Sequence, residues 1–79
     1  MEHPQKPLKI SDHGRQVATN EVKSLLDHGY RSYGELRLPK YEAYFFRHQT
    51  NGHKARVILR PQVVQVFIDQ RPVQLIDLR

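Results

Sequence analysis

Apolar and polar residues alternate through most of the chain after residue 34. Alternation with a period of two is typical of β-strands that have one buried side and one solvent-facing side. The pattern predicts strands at Leu36–Leu38, Tyr41–His48, His53–Arg60, Val63–Asp69 and Val73–Leu78. Turn-forming residues separate these runs, namely Pro39, Asn51-Gly52, Pro61 and Arg71-Pro72. The Asn-Gly pair is the strongest hairpin signal because both residues tolerate positive φ. The second half therefore reads as an antiparallel meander.

One segment before these strands has helical periodicity. Val22, Leu25 and Leu26 recur at i, i+3 and i+4, which places them on one helix face. Asn20 is the predicted N-cap, and Gly29 is suited to the left-handed position that ends many helices. We therefore expect a helix of two or three turns, stabilised mainly by packing on the sheet.

The N-terminal residues carry weaker signals. Residues 1–7 contain two prolines and nothing to bury, so a flexible tail is predicted there, followed by a single domain over residues 8–79. Leu8–Ile10 is predicted as a short strand and Ser11–Gly14 as a turn. The predicted fold class is α+β, with one short helix packed on a three- to five-stranded antiparallel meander.

Length and composition limit the function. The chain has 79 residues, which is enough for one small domain, and it has no cysteine. A disulfide, a thiolate zinc site and a cysteine nucleophile are therefore excluded. No apolar run is long enough to span a membrane. The first 20 residues lack a stretch that resembles a signal peptide, so the chain as written is expected to be cytoplasmic, or periplasmic or secreted if a signal has been removed.

Charge is concentrated in the middle of the chain. Lys and Arg number 13 and Asp and Glu number 8, which gives a net charge of +5. Residues 30–60 hold seven cations and two anions, so this segment carries the whole excess. Within it, Lys54, Arg56 and Arg60 share one side of a predicted strand, opposite Ala55, Val57 and Leu59. Val57 and Leu59 are expected to pack under Leu25 and Leu26, which leaves the cations in solvent.

A binding face is therefore predicted on the central hairpin, formed by Arg47, His48, Lys54, Arg56 and Arg60. Arg47 and His48 are neighbours on one strand and point to opposite sides, so only one of them can join the other cations. An acidic protein is the favoured partner. Nucleic acid is the alternative, with Tyr44 or Phe46 offered as a stacking surface. A merely solubilising face is the third interpretation. The last strand, Val73–Leu78, could also support a homodimer through its free edge.

Catalytic chemistry is not predicted. The three serines lie outside any Gly-x-Ser-x-Gly elbow, and no Gly-rich phosphate loop is present. His48 and His53 flank the predicted hairpin turn, but no acidic residue at a suitable spacing completes a metal site. We therefore expect a non-enzymatic protein without a metal or a cofactor.

The order of these segments resembles PepSY-like domains. The resemblance covers residues 20–68 and rests on the helix ending in Gly29-Tyr30, the Leu- and charge-rich strand after Gly34, the hairpin with Gly52, and Pro61 before a valine-rich strand. The chain departs from that family at Arg60, where Asp often precedes the proline. The resemblance implies a non-enzymatic binding or inhibitory module of a kind often found outside the cytoplasm.

A second resemblance is to HicA-type toxins, which are small basic RNA-cleaving proteins. Residues 21–30 and Phe46-Arg47-His48 before a glycine turn resemble parts of that family. Where the family has its catalytic histidine, this chain has Pro39-Lys40-Tyr41, and no closing helix is predicted after the last strand.

Overall fold

The computed structural model describes residues 9–79, and its single helix starts earlier than the sequence pattern predicts. Helix α1 spans Asp12–Asp27, and Ser11 is its N-cap, because the Ser11 hydroxyl accepts a hydrogen bond from the backbone N–H of Gly14 at 3.0 Å. Asp12 places a negative charge in the first turn, where the helix dipole favours it. The predicted turn at residues 11–14 is therefore wrong.

The predicted N-cap at Asn20 is also wrong. Asn20 lies inside α1, where its side-chain oxygen accepts from Gln16 Nε2 at 3.1 Å. Of the short strand predicted at Leu8–Ile10, the structure describes Lys9 and Ile10, and they form no strand. Leu8 and the tail predicted for residues 1–7 lie outside the described residues. The chain before Asp12 thus leads directly into the cap of the helix.

The C-terminal end of α1 follows the prediction. His28 is the C-cap and Gly29 adopts φ 93°, the left-handed conformation that a glycine permits. Leu25 is buried in the core, whereas Leu26 is 40% exposed, so the expectation that Leu26 covers the sheet is wrong. Tyr30 is buried and begins the first strand immediately after Gly29.

Five antiparallel strands follow in meander order, which confirms the α+β fold class. Their bounds are β1 Tyr30–Leu38, β2 Tyr41–His48, β3 Lys54–Arg60, β4 Val63–Ile68 and β5 Arg71–Asp77. The last turn differs from the prediction: Asp69 and Gln70 form it, with φ 50° and 70°, and Arg71-Pro72 already belongs to β5. Within residues 9–79, no helix has the length and apolar character needed to cross a membrane.

The core lies between α1 and one side of the sheet. Its most deeply buried side chains are Phe46, Val57, Leu59 and Val64. Leu25 and Ala18 of α1 belong to the same cluster, so the predicted packing of Val57 and Leu59 beneath the helix is confirmed for Leu25. Gly14 allows α1 to approach closely, because a Cβ atom there would lie 3.0 Å from Leu78 Cδ1.

One buried carboxylate joins the helix to the sheet. Glu42 of β2 is 6% exposed and accepts two hydrogen bonds from the Arg15 guanidinium, at 3.0 and 2.9 Å, and a third from the Tyr44 hydroxyl. The hydrogen bond from Arg15 is the main reason that the pKa of Glu42 is lowered from its ordinary value. Burial is the main reason that the pKa of Tyr44 is raised. This cluster links α1 to β2, and the helix itself packs mainly on β3.

Candidate binding face of the sheet

The side of the sheet turned away from α1, which we call the open face, is not covered by any described element. Ala55, Val57 and Leu59 of β3 point into the core, together with their register partners on β2 and β4. The residues that alternate with them along each strand therefore point to the open face. Four of the cations predicted from the sequence lie on this face: Arg47, Lys54, Arg56 and Arg60. On β1 to β4 the open face holds no acidic residue. The charged side chains that β2 and β3 place on this face are therefore all positive, and the nearest acid on the same side by register is Asp77 of the edge strand β5.

The open face has two chemically different ends. The aromatic end contains three rings and three cations: Tyr33, Phe45, Phe67, Arg47, Lys54 and Arg56. The aliphatic end contains Leu36, Leu38, Ile58, Val63 and Leu75, together with Tyr41 and Arg60. Leu36, Leu38 and Leu75 are 41%, 43% and 64% exposed, so apolar surface continues to the two outer strands.

Arginines lie over aromatic rings on this face. The guanidinium carbon of Arg56 is 4.5 Å from the centre of the Phe67 ring, and that of Arg47 is 5.4 Å from the Tyr33 ring. At the aliphatic end Arg60 lies 5.0 Å from the Tyr41 ring. Such contacts attract the guanidinium group to the ring face and restrict its motion. The face therefore presents planar, positively charged surfaces.

A bulge in β1 places Tyr33 beside this arrangement. The register between β1 and β2 shifts between Ser32 and Gly34, so Tyr33 is the extra residue. Gly34, the residue after the bulge, is the register partner of Phe45. The rings of Tyr33 and Phe45 lie 6.3 Å apart at an angle of 43°.

The cations of the aromatic end have no carboxylate partner among residues 9–79. The ion pairs in that part of the chain are Arg15–Glu42, Arg37–Glu35, His53–Asp69 and Arg79–Asp77. The nearest acid, Asp69, also accepts from the backbone N–H of Lys54 at 2.9 Å, and this bond is the main reason that its pKa is lowered. Arg56 Nε is buried and has no hydrogen-bond partner within the described residues.

A shallow cleft of about 230 Å³ opens between these side chains. The three rings, Lys54, Arg56 and Gln70 line it, with Ala55 at its floor. It is bounded by apolar ring faces and by N–H donors of Lys54, Arg56 and Gln70. Such a lining suits a flat group that carries or adjoins negative charge.

Three residues named from the sequence lie on the other side of the sheet. His48 packs edge-on against the Tyr30 ring with 5.0 Å between ring centres, and its Nδ1 accepts from the backbone N–H of Thr50 at 3.2 Å. Of the neighbouring pair, Arg47 therefore joins the other cations and His48 does not. Tyr44 and Phe46 point toward α1, so the expectation that they offer a stacking surface is wrong.

The aromatic side chains that do lie on the open face beside the cations are those of Tyr33, Phe45 and Phe67. The sequence pattern did not lead to these three residues as part of the binding face. Phe45 could have been found, because it shares a side with Arg47 on any regular strand. Phe67 could have been found in the same way, since it lies across from Arg56. Tyr33 was harder to place, because its side of the sheet depends on a bulge, and the sequence signal for that bulge is Gly34, an isolated glycine inside a strand.

The described residues contain no group of three or more histidine, aspartate or glutamate side chains close enough to hold a metal ion. Comparisons of the chain with protein-family models, with curated proteins and with solved structures give no match.

Proposed function

We propose that this protein is a non-enzymatic binding module that engages an acidic macromolecule through the open face. The observation that carries the proposal is the grouping of Arg47, Lys54, Arg56 and Arg60 on one side of the sheet, with no acidic side chain on the same side of β1 to β4. A surface with one sign of charge attracts a partner of the opposite sign and raises its rate of association.

The exposed apolar side chains of this face support binding rather than simple solubility. Solubilising surfaces mix charges of both signs and expose few large apolar residues. Here Tyr33, Leu36 and Leu38 of β1 are 55%, 41% and 43% exposed and lie beside the cations. A contiguous apolar surface with a charged rim is typical of an interaction site.

Arginine and tyrosine are also the residue types enriched where proteins bind other molecules. The Arg56 and Arg47 side chains are held by the Phe67 and Tyr33 rings, so less rotamer freedom is lost when a partner arrives. The face is therefore preorganised for contact.

Two lysines allow a matched test. Lys54 is exposed on the open face, and Lys23 is exposed on α1. The variants Lys54→Glu and Lys23→Glu change the net charge by the same amount, and the probe is heparin immobilised on a column. We expect the Lys54 variant to elute at a clearly lower salt concentration than wild type, and the Lys23 variant to elute close to it.

Circular dichroism on both variants confirms that they fold. Equal losses of retention in the two variants would show that overall charge, and not the open face, determines binding. The proposal would then be wrong.

A further inference from the structure

The aromatic end of the open face has the arrangement expected of a platform for unpaired bases. Across the sheet, Phe45 of β2, Arg56 of β3 and Phe67 of β4 are direct register partners. They form a row in which the Arg56 guanidinium lies over the Phe67 ring and Phe45 occupies the neighbouring strand. Neighbouring strands are about 4.8 Å apart, so the row spans about 10 Å of the sheet surface.

A second row lies beside the first. Arg47 of β2 and Lys54 of β3 are register partners, and each is two residues from a member of the first row. Residues two apart on one strand are separated by about 6.6 Å. A line of positive charge thus runs parallel to a line of planar groups.

Resting on the proposed function, we propose that the acidic macromolecule is a single-stranded nucleic acid. Its bases would stack on the Phe45–Arg56–Phe67 row and on Tyr33, while its phosphates face Arg47 and Lys54. Bases stack both on aromatic side chains and on the planes of guanidinium groups, and cations follow the phosphate backbone. The first row offers planar groups on which bases stack, and the second row, about 6.6 Å away along the strands, offers cations that pair with phosphates.

An acidic protein would use this surface less completely. Aspartate and glutamate side chains could pair with Arg47 and Lys54, but they have no planar ring to fill the cleft between Tyr33, Phe45 and Phe67. Gln70, at the rim of the cleft, carries an amide whose donors and acceptor match a base edge. Stacking on unpaired bases also requires a single strand, since duplex bases expose only their edges.

The probe is a fluorescein-labelled oligothymidylate of about ten nucleotides, and the readout is fluorescence anisotropy at about 50 and 200 mM NaCl. Tyr33→Leu and Phe45→Leu keep apolar bulk and remove a ring. We expect each to weaken binding by about five- to 100-fold, because stacking contributes this much per base. Leu26→Ala, which removes exposed apolar surface from α1 on the other side of the sheet without removing a ring, is the control and is expected to bind within about twofold of wild type.

The charge row is tested separately. Lys54→Gln should flatten the plot of log affinity against log salt concentration by about 0.7, the contribution of one phosphate contact to a single strand. A duplex of the same length should bind at least tenfold more weakly than the single strand. Thermal denaturation of each variant verifies that the fold is kept.

Three results would overturn the inference: equal binding of duplex and single strand, an unchanged affinity of Tyr33→Leu and Phe45→Leu, or binding of poly-glutamate at least as tight as that of the oligonucleotide. Tight, Lys54-dependent binding of poly-glutamate would leave the proposed function standing with an acidic protein as the partner. If heparin, poly-glutamate and the oligonucleotide all showed no Lys54-dependent binding, the proposed function and the inference of a single-stranded nucleic acid would both be refuted.

Discussion

The buried carboxylate of Glu42 should make the stability of this protein depend on pH in a defined way. Glu42 accepts hydrogen bonds from Arg15 and from Tyr44. The hydrogen bond from Arg15 is the main reason that the pKa of Glu42 is lowered. A group whose pKa is lower in the folded state stabilises the fold above its unfolded-state pKa. This stabilisation is lost as the pH falls below the ordinary value of 4.5 and through the folded pKa.

The perturbation is Glu42→Gln, which keeps the shape of the side chain and removes its charge. Hydrogen bonds to a charged group contribute about 1.5–3 kcal/mol, and solvent screening of the half-exposed Arg15 side chain reduces this value. We therefore expect the free energy of unfolding at pH 7 to fall by about 1–2 kcal/mol. In a domain of this size that corresponds to a decrease in Tm of about 4–16 °C.

Urea unfolding followed by circular dichroism at pH 7 and at about pH 3 measures both effects. The difference between wild type and Glu42→Gln should shrink at the lower pH, because below the ordinary pKa of 4.5 the unfolded wild-type chain gains a proton at Glu42 and is stabilised relative to the folded state. Asp69 and Asp77 also have lowered pKa values, the first mainly through a backbone hydrogen bond from Lys54 and the second mainly through the Arg79 side chain. Both titrate equally in the two proteins, so their contributions cancel in the difference.

Glu35→Gln is the matched control, because Glu35 pairs with Arg37 in an exposed ion pair. It should change the free energy of unfolding by about 0.5 kcal/mol or less. If Glu42→Gln were no more destabilising than Glu35→Gln at pH 7, or if its deficit were the same at both pH values, the reasoning about the buried carboxylate would be refuted.

Two further predictions concern the last hairpin and the free edge. Gln70 has φ 70°, a left-handed conformation that is strained for a residue with a Cβ atom. Gln70→Gly should relieve this strain and raise Tm by about 4–8 °C in thermal denaturation. An unchanged or lower Tm would contradict this prediction. The edge strand β5 exposes its backbone along with Val73 and Leu75, which are 56% and 64% exposed, so we expect weak self-association at high concentration that Leu75→Lys abolishes. Sedimentation velocity measures it, and a concentration-independent sedimentation coefficient for wild type would count against the edge contact.

The sheet could be predicted from the sequence because alternation, prolines and the Asn51-Gly52 pair all report local backbone geometry. The sides assigned to Val57, Leu59 and the cations of β3 follow directly from the period of two, and the structure agrees.

The start of the helix could not be predicted in the same way. Its first half contacts the sheet through Gly14 and Ala18, small residues that allow close approach but produce no apolar stripe.

Features that depend on distant residues also escaped prediction, both in the core and in the candidate site. Arg15 and Glu42 are 27 positions apart, and only the folded chain shows that they meet. The face occupied by Tyr33 depends on a bulge, which changes the phase of β1, and Gly34 beside the shift does not by itself show which residue is the extra one. Local patterns therefore predicted the cations of the open face, whereas the rings between them depend on register and strand irregularity.

The division of the sheet into a packed side and an open face separates stability from binding. Phe46, Val57, Leu59 and Val64, which are at most 2% exposed, all point toward α1, so the core does not need the rings and cations of the open face. Surface substitutions away from the core usually change stability by about 0.5 kcal/mol or less. Ala43 and Ile58 are register partners on the open face that are 2% and 9% exposed, so substitutions there are expected to affect stability. Variants of Tyr33, Arg47 and Lys54 are therefore expected to keep nearly the stability of wild type, so they can test the proposed binding separately from folding.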